Sequence, residues 1–167
     1  MKNYQEWYEH MAGKIGNKPF FLRLLRFFNR FMTIVMPMIY LTLLATTYLQ
    51  EGLGKQVWIY LFIPASGFVI LSFLRKKINS PRPYEVWEIV PLLDRDSPGQ
   101  SMPSRHVFSA TIISMACLHA SLAVGVILLL LSAILGLVRV LGGVHFPKDV
   151  LVGYACGLVW GVIFFLF

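Results

Sequence analysis

The sequence predicts an all-α fold: a polytopic transmembrane bundle of five to six helices with an N-terminal amphipathic interfacial helix. Three observations predict it. Of the 167 residues, 57% are hydrophobic and only 14% charged, more apolar surface than a water-soluble domain of this length has interior to hide. The apolar residues gather into runs, Phe31–Gln50, Val57–Leu74, Ser121–Val138 and Val150–Phe167, each close to the ~20 residues that a helix needs to cross a hydrocarbon core. The charge, net +7, falls between these runs rather than along them.

The elements follow in order. Residues 1–30 mix aromatic and charged side chains and form an interfacial segment ahead of a membrane domain over residues 31–167. Within the segment, Pro19–Phe31 carries Arg23, Arg26 and Arg30 at spacings of three and four. One helical face is then basic and much of the rest is Phe and Leu. Such a helix is expected to lie in the headgroup plane, because three arginines make a crossing costly. The N-terminus is polar and the first apolar run begins late, so insertion is expected to rely on the first span rather than on a cleaved signal. The polar loop Glu51–Gln56 joins the first two spans. Arg75–Arg105 is the only long polar segment, and Pro81, Pro83, Pro91, Pro98 and Pro103 forbid one continuous helix there. A long irregular stretch in a compact protein is usually functional.

Val107–Val138 reads as a helical hairpin that turns near His119–Ser121. Its first arm, Val107–His119, is richer in Ser and Thr and is expected to face other helices. The last span starts at Pro147, which gives five spans in all. Gly153, Gly157 and Gly161 repeat every four residues along it, a small-residue face for packing within the chain or in a homodimer. Cys117 and Cys156 lie in apolar runs without metal-ligand spacing and read as small buried residues. His119 and His10 read as structural, Asp94, Arg95 and Asp96 as a solvated loop or a gate at an entrance. The tryptophans and tyrosines read as ordinary interfacial or core aromatics.

This order has a geometric consequence. Segment 75–105 joins spans two and three, and segment 139–149 joins spans four and five. A hairpin separates the two, so both emerge on one face of the membrane. Three polar clusters therefore meet: Arg75, Lys76 and Lys77 with Arg82 and Pro83; Pro103-Ser104-Arg105-His106; and Arg139 with His145 and Asp149. Arg82, Arg139 and one or more of Arg75, Lys76 and Lys77 supply fixed positive charge, and guanidinium forks match phosphate oxygens. Ser104 precedes a helix start whose free amides can bind an anion. Two histidines can divide nucleophilic and general-acid work near neutral pH. Asp149 stands four residues after His145, in the first turn of a helix begun by Pro147, from where its carboxylate can reach back and set the His145 tautomer. Charge clamps, a nucleophile and a proton donor are what phosphoryl transfer requires.

The constellation resembles the type 2 phosphatidic acid phosphatase superfamily of membrane lipid phosphatases, with its motifs K-x6-R-P, P-S-G-H and S-R-x5-H-x3-D. The three arrive in order over about residues 55–167, and Arg139, His145 and Asp149 reproduce the third spacing. The resemblance implies an acid-phosphatase-like helical core that uses no metal or other cofactor. It implies that His145 attacks phosphorus and forms a phosphohistidine, that Asp149 orients His145, and that His106 protonates the leaving oxygen and then activates water. Arg82, Ser104 and Arg139 would hold the phosphate. Three positions depart from the motifs. Arg75 stands where the family has Lys, with Lys76 one residue closer, and both are candidates. Arg105 replaces the motif Gly and offers a further contact to a diphosphate or headgroup. Val138 replaces a Ser and removes one hydroxyl. The family commonly has six spans.

The expected substrate is a phosphorylated membrane lipid: a polyprenyl diphosphate, the favoured candidate for so short a bacterial housekeeping chain, phosphatidylglycerophosphate or phosphatidic acid. The rivals are a phosphotransferase and a non-catalytic lipid-binding or transport protein, although transport predicts ionisable residues at mid-span and these spans have almost none. Nucleic acid is not an expected partner, because the basic residues flank membrane spans. The protein is expected in the cell membrane as a multi-pass protein. The resemblance places the active face outside the cytoplasm, whereas the positive-inside rule, with most basic residues on that face, places it inside.

Overall fold

A computed structural model describes residues 2–167. Six helices of fifteen residues or more make up the chain: α1 (Lys2–Gly16), α2 (Pro19–Glu51), α3 (Lys55–Ile78), α5 (Arg105–Ala120), α6 (Leu122–Leu141) and α7 (Pro147–Gly161). A single turn, α4 (Pro83–Val86), interrupts the long polar segment, and α7 tightens into a 3₁₀ turn over Val162–Leu166. No strand occurs among the described residues. The helix ends follow local chemistry. Pro19, Pro83 and Pro147 open their helices, where a missing N–H costs nothing. Asn79, in the left-handed region at φ 43°, closes α3 by donating its N–H to the Arg75 carbonyl.

One boundary differs from expectation. The basic stretch 19–31 and the first span form one unbroken helix of 33 residues, about 50 Å long at helical rise. Residue 30 therefore lies inside α2, and the separate N-terminal helix is α1. The chain breaks at Gly16-Asn17-Lys18-Pro19, whereas nothing in Asn29–Met32 interrupts a helix.

Four segments are long and apolar enough to cross a bilayer: Pro19–Glu51, Lys55–Val86, Leu122–Leu141 and Pro147–Leu166. The expected fifth, α5, is only 16 residues, and it sits among the other four. Val107, Phe108 and every residue from Ala110 to Cys117 are buried. One core joins α5 to α3 and the C-terminal turn through Tyr60, Leu71, Phe108, Ile112 and Phe164. A second joins it to α2 and α6 through Met32, Met36, Ala110, Ile113, Leu128 and Leu135. The Ser and Thr content of α5 is spent inside the protein: Ser114 and Ser132 pair across α5 and α6 at 3.0 Å. The outer faces instead expose Phe27, Leu41, Phe62, Phe73, Leu130, Leu151 and Val159. So large an apolar surface is stable against lipid, not water.

Pro64, inside α3, deprives the Tyr60 carbonyl of its helical donor. The Tyr40 hydroxyl of α2 supplies the missing bond at 2.8 Å, which ties the first two spans together. The hairpin turns at Ser121 as expected. His119 lies at that end, with Nδ1 2.9 Å from the Tyr60 hydroxyl and 3.2 Å from Gln56 Nε2, far along α5 from the polar loops.

The glycine face of α7 packs on α5. A Cβ at Gly153 would lie 2.6 Å from the Ser104 carbonyl oxygen, one at Gly157 2.6 Å from Thr111 Cβ, and one at Gly161 2.5 Å from Met115 Cβ. All three glycines are buried. The stripe is thus used within the chain and leaves no small-residue face for the homodimer weighed above. This close approach also lays the start of α7 against the start of α5. Gly157→Val should therefore lower the thermal unfolding midpoint in detergent markedly, overpacking of this kind costing about 1–3 kcal/mol or more. Gly13→Ala, at a helical site with open space, should not lower the midpoint and should raise it slightly, alanine being the better helix former.

Candidate active site

The start of α5 is pinned to α7 by a hydrogen bond of 2.8 Å from the Ser104 N–H to the Asp149 carbonyl. The loop before α5 is stitched to the turn before α7: Leu92 and Leu93 N–H groups both donate to the Gly142 carbonyl. The α1 helix closes over this junction. Gly143, at φ 74°, has no Cβ to collide with the Tyr8 ring lying against it. Tyr4 stacks on Trp87 at 5.0 Å and leans on Phe146 at 5.3 Å. The tyrosines and Trp87, read in the sequence as interfacial or core aromatics, pack the N-terminal helix over the turn that carries His145. Arg26 of the basic stretch donates to the Leu92 carbonyl at 3.0 Å and so holds the loop as well.

The three sequence clusters meet at this junction. Arg82 is 2% exposed. Its Nε donates to the Ser97 carbonyl at 2.9 Å, and its Nη1 to the Val144 carbonyl at 3.1 Å and to Asp96 Oδ2 at 2.8 Å. Arg139, equally buried, donates through Nη2 to the same Asp96 oxygen and through Nη1 to Asn29 Oδ1 at 3.3 Å. Asp94 and Arg95 are exposed as expected, but Asp96 is no solvated loop residue. One carboxylate oxygen bridges the two guanidinium groups.

Arg75 and Lys76 resolve differently from each other. Arg75 is buried, and its Nη1 donates to the carbonyls of Pro103 and Ser101. Lys76 and Lys77 are exposed. The inward basic side chain of the first cluster is thus Arg75, and its hydrogen bonds go to the backbone of the second cluster. Ser104 is fully buried, and its hydroxyl has no partner among the described residues. Arg139 Nε is also buried without a partner. Buried polar groups are seldom left so, and both belong to this pocket.

His145 is 1% exposed. Asp149 Oδ2 stands 3.6 Å from His145 Nδ1, within ion-pair reach but beyond a hydrogen bond. The same oxygen accepts from the Phe146 N–H at 3.0 Å and from the Ser101 hydroxyl, and Ser101 Oγ is 3.2 Å from His145 Nδ1. Ser101 was not foreseen. It contacts residues 44 and 48 positions away, and no local spacing sets it apart from other loop serines.

His106 stands half-buried in the first turn of α5. With Arg105 it lines a cavity of about 190 Å³ between α2, α3 and α5, whose other walls include Met32, Pro37 and Phe68. A second cavity, of about 330 Å³, adjoins it through Phe68, Ser109 and Ile113 and runs on past Leu61 and Pro64. Arg105 is exposed at the rim, its guanidinium 5.9 Å above the Phe68 ring. The half-buried His106 and Arg105 thus stand at the polar end of an apolar groove.

Burial, aided by Arg139 and Arg82 and opposed by Asp149, brings the His145 imidazole down to about 4. The ring is neutral at physiological pH, the state in which a nitrogen can be a nucleophile. Burial works to raise the Asp96 carboxyl, but Arg139 and Arg82 outweigh it and hold the group below its ordinary 3.8.

Buried guanidinium groups beside a buried neutral histidine, in a bundle with lipid-facing walls, are the equipment that an integral membrane phosphatase requires. The chain belongs to the PAP2 superfamily, whose family model matches residues 56–167. Among solved structures it is similar to Aquifex aeolicus LpxE, at 26% identity, TM-score 0.69, over 87% of this chain and 93% of that one. It also shares the fold of a transmembrane PAP2-type phosphatidylglycerolphosphate phosphatase from Bacillus subtilis, at 19% identity, TM-score 0.72, over 98% of this chain and 85% of that one. No curated protein matches it.

The two titrations make separable predictions. Asp96 ionises more readily folded than unfolded, so its pairing stabilises the fold above pH 3.8, and that contribution is lost as pH falls through its lower folded value. His145 acts earlier: between its ordinary 6.5 and about 4 the unfolded chain takes up a proton that the folded protein does not, so stability falls as pH drops through that window. Thermal unfolding in detergent from about pH 7 to 3 should show both limbs. Asp96→Asn should flatten the more acidic limb, and His145→Gln the milder one.

Proposed function

We propose that the protein hydrolyses the phosphate monoester or diphosphate of a membrane lipid through a phosphohistidine on His145. The observation that carries this is the Asp96 carboxylate bridging Arg82 and Arg139 beside His145. Two buried guanidinium groups converge on one oxyanion, and a neutral imidazole stands next to them.

With the lipid's phosphate in place of the Asp96 carboxylate, Arg82 and Arg139 clamp its equatorial oxygens. Ser104 Oγ and Arg139 Nε, both without partners, gain theirs. The Nε2 of His145 attacks phosphorus as the bond to the lipid oxygen breaks, and Asp149 stabilises the imidazolium that forms. Burial and Arg139 push His106 down to about 4; the incoming phosphate's negative charge offsets that, so His106 takes up a proton from solvent as the lipid binds, gives it to the leaving oxygen, then takes one from the water that opens the N–P bond. The guanidinium groups carry the charge stabilisation, and no step calls on a metal. Arg75 serves indirectly, by holding the backbone of the loop that carries Ser104.

The groove supports a lipid rather than a soluble phosphate. It begins at His106 and continues along apolar walls between α2, α3 and α5, where a hydrocarbon chain can lie while its phosphate reaches the pocket. Arg105, at the rim, favours a diphosphate by offering a third cationic contact outside the buried pair.

Phosphate release from a detergent-solubilised panel of polyprenyl diphosphate, phosphatidylglycerophosphate and phosphatidic acid tests the proposal. At least one lipid should be hydrolysed at a rate unaffected by EDTA, and His145→Ala should lower that rate by roughly 10³-fold or more. No release from any lipid, or a parent-like rate in the variant, sinks it. Displacement of Asp96 has its own readout. Asp96→Asn removes the competing charge, so orthovanadate should inhibit the variant at several-fold lower concentration than the parent.

A further inference from the structure

We infer that Ser101 is a positioning residue for phosphoryl transfer, its hydroxyl carrying the contact between Asp149 and His145 and so fixing which nitrogen of His145 is free to react. The inference rests on the phosphohistidine mechanism above and adds a residue that lies outside all three sequence clusters.

The geometry leaves little choice of proton. Ser101, Asp149 and His145 are at most 1% exposed, so water does not mediate among them at the surface. Asp149 is acceptor-only when ionised, and its Oδ2 receives the Ser101 hydroxyl proton. The lone pair of Ser101 Oγ then faces His145 Nδ1 at 3.2 Å, which requires the proton to be on Nδ1. A neutral imidazole with Nδ1 protonated has its lone pair on Nε2. Direct contact from Asp149 would have imposed the same tautomer, but at 3.6 Å the carboxylate is too far to do it alone. When the Nε2–P bond forms and the P–O bond to the lipid breaks, the ring keeps its Nδ1 proton and becomes cationic. The Ser101 hydroxyl, polarised by Asp149, is then the acceptor that faces that charge.

Ser101 is itself held from both sides. Its N–H donates to the Ser80 carbonyl at 2.8 Å, and its carbonyl lies 3.5 Å from Arg75 Nη1. Arg75 also takes the Pro103 carbonyl. The burial of Arg75 at the end of α3 thus has a use: it sets the height of Ser101 against α7. A hydroxyl that only filled a hole beside Asp149 would need no such fixing of its backbone.

The test compares Ser101→Ala with Ser101→Thr in the full-length protein, using the best lipid of the panel, with His145→Ala alongside. Ser101→Ala should lower kcat about ten- to hundredfold, as loss of the hydrogen-bond partner behind a metal-bound histidine does, while KM changes little. Ser101→Thr, which keeps the hydroxyl, should recover most of the rate. The ¹⁵N spectrum of histidine-labelled protein should show His145 protonated on Nδ1 in the parent and in Ser101→Thr, and a mixture of tautomers in Ser101→Ala. A parent-like kcat in Ser101→Ala overturns the inference, and so does an unchanged His145 tautomer or equal impairment of the Thr variant. Failure of the mechanism itself looks different: His145→Ala then retains activity, whatever Ser101 does.

Discussion

Two guanidinium groups, Arg82 and Arg139, are buried beside each other, and neither charge can leave water without an opposite partner. Much of the active face is arranged around that requirement. Asp96 supplies the partner, and to reach it the loop from Trp87 to Gly99 folds inward, held by Gly142, Arg26 and the α1 tyrosines. Such a pair is costly to assemble and costly to break singly, so the two arginines and Asp96 are held as one unit. Under the proposed reaction a lipid phosphate would exchange with the carboxylate, a milder step than filling an empty cationic hole.

A second constraint is steric. The approach of α7 to α5, possible only with glycine at 153, 157 and 161, brings the Asp149 carbonyl within reach of the Ser104 amide. The start of the helix that carries His106 and the start of the helix that follows His145 are then held together, because two backbones nearly touch. Of the two, α5 also bounds the groove on its inner side, so one helix contributes to both the polar cluster and the apolar groove. Stability and site geometry are here carried by the same contacts, and a substitution on the glycine face disturbs both.

The sequence by itself determined the class of fold, because apolar runs of membrane-spanning length have few other solutions. It also determined that the clusters share a face, since a hairpin separates the two polar segments. Arg82, Ser104, Arg139, His145 and Asp149 were legible as one set because their spacing is local within each cluster. The end of the N-terminal segment was not legible: amphipathicity marks a face, and continuity of a helix depends on whether a breaker is present. Nor was the choice between Arg75 and Lys76, adjacent residues that helical geometry turns about 100° apart. Only the tertiary structure decided three things: that Asp96 leaves solvent to bridge two arginines, that Ser101 stands between Asp149 and His145, and that α1 covers the junction. Each is a contact between segments distant in the chain, made by residue types that are common in loops. No periodicity or spacing marks such contacts, because what creates them is the burial of charge and the packing of helices in three dimensions.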